Sequence, residues 1–124
     1  MTPKIQSRSV GKEMESLACR YLQQQNLVLI ERNYACKLGE IDLIMRDNDF
    51  LVFVEVRFRR SHDYGLPIAT VSNSKRYKLL RTASYYLQQH QLSDKIACRF
   101  DIIAIWYNQQ QQLEVDWVKS AFGA

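Results

Sequence analysis

Apolar positions along this chain recur with two periods, and the changes between them mark out seven elements. Residues 9–26 repeat at helical spacing, with Met14, Leu17, Ala18, Tyr21 and Leu22 on one stripe. Leu27–Ile30 opens a first strand that runs to about Cys36, and Glu40–Met45 forms a second. Asp47-Asn-Asp49 is a tight hairpin turn. Phe50–Phe58 is the third and longest apolar strand, rich in β-branched and aromatic residues. Residues 60–71 read as a loop carrying His62, Tyr64, Gly65 and Pro67. A second helix starts at Ser72 or Ser74, either of which can cap it, and runs to about Gln91 with Leu79, Leu80, Ala83, Tyr86 and Leu87 as its apolar face. Strand four covers Cys98–Tyr107, and Leu113–Val118 is a fifth strand at an edge. Residues 1–8 read as a flexible N-terminal arm before a single domain at 9–124. The order α-β-β-β-α-β-β predicts an α/β fold with a mixed five-stranded sheet flanked by helices, in two or three layers. The helix between strands three and four allows one parallel pair.

Composition narrows the classes. The chain has 124 residues, 47% hydrophobic and 24% charged, as in an ordinary globular domain. No apolar run approaches the roughly 20 residues of a membrane span. The start, Met-Thr-Pro-Lys-Ile-Gln-Ser-Arg-Ser, is polar and basic, which argues against a secretory signal. Cys19, Cys36 and Cys98 form no CxxC pair, which argues against a zinc site or disulfide framework; free thiols point to the cytoplasm. The net charge is +4. The bases cluster in Arg57-Phe-Arg59-Arg60 and in Lys75-Arg76-Tyr-Lys78, while acids gather at 13–15, 40–49 and 114–116. Basic patches beside an acidic pocket suit a polyanion held near metal ions; the bland alternative for each basic run is a solvated face.

Two acids lie within apolar strands. In Gly39-Glu-Ile-Asp-Leu-Ile44, alternation puts Glu40, Asp42 and Ile44 on one face and Ile41, Leu43 and Met45 on the other. In strand three, Leu51, Phe53, Glu55 and Arg57 share a face. Asp42 lies six residues before Asn48 and Glu55 seven after it, so the hairpin makes them cross-strand neighbours. Such a pair repels unless a cation or proton intervenes, and Mg²⁺ or Mn²⁺ meets that need. Arg57 then stands about 7 Å further along the face, placed to hold a phosphate. The alternative is a structural Asp42–Arg57 or Glu55–Arg57 ion pair. On helix one, Glu15 and Glu13 sit on opposite rims of the apolar stripe, and periodicity does not choose between them. Asp101, inside strand four, is either a site acid or a partner of Arg99 or Arg57. His62 reads as exposed, and Tyr85, Tyr86 and Trp106 as core or sheet-face residues.

With these residues laid out, the chain resembles the YraN-like protein family, regarded as distantly related to archaeal Holliday-junction resolvases of the restriction-endonuclease-like superfamily. The resemblance runs over about residues 9–122. It rests on Gly11-x-x-x-Glu15-x-x-Ala18, on Arg32-Asn33-Tyr34, and above all on Gly39-Glu-Ile-Asp-Leu-Ile44 followed by Phe53-Val-Glu-Val-Arg57. Further matches are Lys75 with Ala83 and Tyr86-Leu87, and Arg99-Phe-Asp101. It implies a restriction-endonuclease-like core with an E…D…ExK site: Glu15 as the helix acid, Asp42 and Glu55 as metal ligands with the Val56 carbonyl beside them, and Arg57 at the lysine position. Arginine grips phosphate but does not give up a proton near neutral pH. The resemblance therefore implies either a divalent-metal-dependent endonuclease on structured or branched DNA, or a nucleic-acid-binding module that keeps the fold without cleaving. A structural domain whose acids form ion pairs is the third reading. Lys75, like Arg57, Arg59, Arg60, Arg76 and Lys78, is a candidate phosphate contact. Resolvases act as two-fold dimers, and by analogy the apolar residues Val115, Trp117, Val118 and Phe122 offer a contact between copies.

Overall fold

The computed structural model describes residues 3–59 and 71–123, with side chains from residue 10 onward. His62, Tyr64, Gly65, Pro67 and Arg60 lie outside the described residues. The elements run α1 (Pro3–Gln24), β1 (Val28–Cys36), β2 (Gly39–Asp47), β3 (Phe50–Arg59), α2 (Asn73–Gln89), β4 (Ala97–Tyr107) and β5 (Leu113–Phe122).

Their order is the one expected, but some ends differ. α1 begins at Pro3 rather than residue 9, so it takes in residues read as an arm. Proline suits a first helical turn because its φ is preset and the missing N–H has no helical partner there. The helix closes where Asn26 takes φ 73 and the Leu27 N–H reaches the Leu22 carbonyl at 3.1 Å. A left-handed Asn satisfies the last carbonyls in this way. α2 is capped by Ser72, whose hydroxyl accepts from the Lys75 N–H at 3.2 Å. That choice between the two serines was open in the sequence.

The sheet order is β1-β2-β3-β4-β5, with β3 and β4 parallel and the other pairs antiparallel. α1 covers one face, where Met14, Ala18, Cys19 and Leu22 pack with Leu43, Met45, Val52, Val54, Ile103 and Ile105. α2 covers the other, where Leu79, Ala83 and Tyr86 pack with Ile41, Ile44, Leu51, Phe53, Phe100 and Ile102. The domain is thus three layers, helix, sheet, helix. Both faces of β3 are apolar because both are covered. Leu22 is fully buried, and cutting it to Ala removes about 2–5 kcal/mol.

β5 runs four residues past its expected end. Its register with β4 shifts between Phe100 and Ile102, and Ser120 takes φ 50. The residues expected to offer a copy-to-copy contact also pack within the chain and stay partly exposed. Trp117 meets Tyr21 edge-on at 6.3 Å, and Phe122 stacks on Phe100 at 4.9 Å. Val115 and Val118 pack against the two cores. The three cysteines are free, and no helix among the described residues is long and apolar enough to cross a membrane.

Candidate active site

β2 and β3 pair from Asp47 and Phe50 back to Leu43 and Val54, where the ladder stops. Asp42 and Glu55 are the next positions in that register. Here the Asp42 side chain does the accepting: the Val56 N–H donates to its Oδ2 at 2.8 Å. On the other side of β2, Arg32 pairs with Leu43 and Tyr34 with Ile41, but Asn33, opposite Asp42, is skipped. Asn33 has φ 53, a left-handed conformation that Asn tolerates better than most residues.

This kink corrects the expected alternation. Ile41 and Ile44 both lie in the α2-side core, and Leu43 and Met45 in the α1-side core. Strict alternation would have set Ile41 with Leu43. One residue, Asp42, is consumed in the change of face, and its carboxylate turns toward β3.

Glu55 faces α2, with only 7% of its side chain exposed, and Lys75 Nζ lies 2.6 Å from its Oε2. The ion pair foreseen as a structural alternative therefore forms, but with Lys75 and not Arg57. A lysine in a first helical turn is opposed by the helix dipole, by roughly 0.3–1 kcal/mol. Contact with a buried carboxylate accounts for its presence. The pair lies at a cleft of about 380 Å³ lined by Gly39, Glu40, Asp42, Glu55, Lys75 and Lys78, among others. Gly39 lets α2 come close, since a Cβ there would stand 2.7 Å from Thr82 Oγ1.

Glu15 approaches from α1. It is half-buried and Glu13 is exposed, which settles the choice between the two rims. Glu15 Oε1 is buried with no hydrogen-bond partner. It does not line the cleft on the α2 side, yet its charge reaches Asp42. The Asp42 carboxyl is pushed up to about 7, first by burial and then by the charge of Glu55, with a further push from Glu15; the Val56 N–H opposes these. Among the described residues the acids do not stand as a closed three-ligand group; Lys75 occupies Glu55 instead.

The remaining candidates divide. Lys78 lines the cleft. Arg57 is half-buried two residues beyond Glu55, off the described cleft wall and without an ion pair among the described residues. Arg59 follows on β3, also half-buried. Arg76 turns away: its Nε donates to the Val71 carbonyl at 3.1 Å and its guanidinium lies 5.6 Å from the Phe122 ring centroid. Asp101 takes the other role open to it, as a partner of Arg99. It is fully buried and takes the Arg99 Nε at 3.1 Å, the Trp117 Nε1 at 2.9 Å and the Ser120 N–H at 3.0 Å. Asn33 and the Lys75–Glu55 contact escaped sequence reasoning. The signals were an Asn inside a strand and a Lys three residues after a capping Ser.

The fold and cleft define an α/β protein with buried acids gathered where two strands part. Residues 14–105 match the uncharacterised protein family UPF0102, and the chain belongs to that family. A UPF0102 protein of Coxiella burnetii is 49% identical over 115 residues, covering 93% of this chain and 92% of the relative. One from Nitrosomonas europaea is 45% identical over 112 residues (90% and 92%), and one from Legionella pneumophila 41% over 114 (92% and 94%).

Proposed function

We propose that this chain is a divalent-metal-dependent endonuclease acting on structured or branched DNA, with a site related to those of the Holliday-junction resolvases. One observation carries the reading: the charges of Glu55 and Glu15 both bear on Asp42, and Glu15 has a buried oxygen without a partner. A fold rarely gathers such charge without use for it, because uncompensated burial is costly. The donors are all hard oxygens, which fit Mg²⁺ or Mn²⁺. Asp42 and Glu55 would hold the ion beside the Val56 carbonyl, and Glu15 would serve a second ion or its water. When bound, the ion would supply positive charge to the phosphate and lower the pKa of water.

The chain's own residues do the rest. Asp42 gives up its proton before it can act as a ligand. Lys75 has an ammonium within reach of both Glu55 and the cleft mouth, so it supplies the cation that the family pattern places at position 57. Lys78 and Arg57 hold flanking phosphates as point charge and fork. A four-way junction needs two symmetric cuts and so would engage two copies. This work belongs with DNA in the cytoplasm.

A second reading, a nucleic-acid-binding module without cleavage, is favoured by the closed Lys75–Glu55 pair and by Arg57. Calorimetric titration with Mn²⁺, alongside incubation with four-way junction, flap, single-stranded and duplex DNA, separates the two. The endonuclease reading expects Mn²⁺ binding and cleavage of a branched form, both lost in Asp42→Ala and Glu55→Ala. Cleavage that survives both substitutions places the chemistry elsewhere. DNA binding without cleavage, weakening by about 0.9 logarithmic units per phosphate contact for each tenfold rise in salt, supports the module. No binding, or a flat salt response, removes both.

A further inference from the structure

Beside the acidic cleft lies a second hollow of about 570 Å³ on the outer side of α2, lined by Leu38, Tyr77, Arg81, Tyr85 and Gln88 among others. Consecutive residues of the chain line the two hollows. Leu38 faces the second hollow and its neighbour Gly39 the cleft; Tyr77 faces the hollow and its neighbour Lys78 the cleft. Tyr77 is 61% exposed, the highest value among the described large hydrophobic residues. The Arg81 guanidinium stands 5.6 Å from its ring centroid. An open aromatic face backed by a cation has an evident use where a polyanion is bound next door: a base stacks on it while the cation meets the backbone. The hollow's size lies within the usual range for a small-ligand site, and the Gln88 amide at its side offers both donor and acceptor.

We propose that this hollow is a base-stacking subsite, in which Tyr77 takes an unpaired nucleobase from the strand whose phosphate lies in the acidic cleft. The proposal rests on the nucleic-acid reading above and narrows its substrate to DNA with a single-stranded segment flanking the bound phosphate. A fully paired duplex cannot fill the hollow, because its bases are stacked on one another.

The test is fluorescence anisotropy with labelled blunt duplex and the same duplex bearing a short oligothymidine tail, with Ca²⁺ to neutralise the acids. Wild type binds the tailed duplex more tightly. Tyr77→Ala loses roughly five- to a hundredfold on the tailed duplex, the range that base–aromatic stacking gives on truncation, and less than about twofold on the blunt one. Tyr77→Phe, which keeps the ring, retains the preference. Tyr77 is exposed, so circular dichroism and melting should match wild type. Unchanged binding of the tailed duplex by Tyr77→Ala, or an equal loss on both, overturns the subsite while leaving the nucleic-acid reading standing. Wild type that binds neither DNA overturns both.

Discussion

Asp42 holds its proton to about pH 7 because burial and the Glu55 charge both penalise the carboxylate. An ordinary aspartate in the unfolded chain ionises near 3.9. The folded state therefore binds the proton more tightly, so the stability that Asp42 contributes is complete below about pH 4. It falls away as pH rises toward and through 7. Asp42→Asn keeps an oxygen for the Val56 N–H and carries no charge. The variant is expected to be more stable than wild type at pH 8, by on the order of 1–3 kcal/mol or several degrees in Tm, with the gap closing near pH 4. It should also lose Mn²⁺ binding, the usual exchange of function for stability at such sites. Melting curves across pH check this; an Asn variant that melts below wild type at pH 8 defeats the idea that this carboxylate is held under strain.

At the scale of elements, the notch is made by a defect in β-structure rather than by the strands as such. Asn33 and Asp42 drop out of the β1–β2 ladder together, and the face change between Ile41 and Leu43 follows. Asn33 is the residue that tolerates the bend. Asn33→Gly should keep fold and Mn²⁺ affinity, since glycine takes φ 53 without strain. Asn33→Val should lose roughly 1–2 kcal/mol and weaken Mn²⁺ binding at least tenfold, as β1 straightens and Asp42 turns away from β3. Urea unfolding and calorimetry read the two effects; a Val variant with unchanged metal affinity detaches the kink from the site. This device also explains what sequence reading could and could not see. Element order, the pairing level of Asp42 with Glu55 and the apolar character of both faces of β3 all follow from period-two patterning and turn residues. The period breaks at Asp42 because of a backbone angle at Asn33 on the neighbouring strand, and no pattern within β2 reports that. Lys75 was legible as a cation near a helix start, but its contact with Glu55 depends on how closely α2 approaches Gly39.

Across the whole molecule, the buried acids belong to two kinds, and partner inventory tells them apart. Asp101 is saturated. Arg99 spans from it to Asp47, reaching Asp47 Oδ2 at 2.8 Å, and so ties the β2–β3 hairpin to β4. Trp117 and the Ser120 N–H tie the same carboxylate to β5, across the register shift that lengthens that strand. One side chain thus joins most of the sheet, with no unmet bond left for a ligand. Glu15 and Asp42 are the reverse: one has an orphaned oxygen, the other is crowded by like charge. Opposite effects of neutralisation follow. Asp101→Asn forfeits a charge-assisted pair and leaves Arg99 short of an acceptor, so unfolding free energy should drop by about 2–4 kcal/mol. Mn²⁺ affinity, measured well below the melting point, should stay within about twofold of wild type, because the sites share no partner. Glu15→Gln should do the opposite, leaving stability equal or higher while weakening Mn²⁺ binding. Should Asp101→Asn weaken Mn²⁺ binding as strongly as Glu15→Gln does, the division between sheet-joining and ligand-seeking acids is wrong.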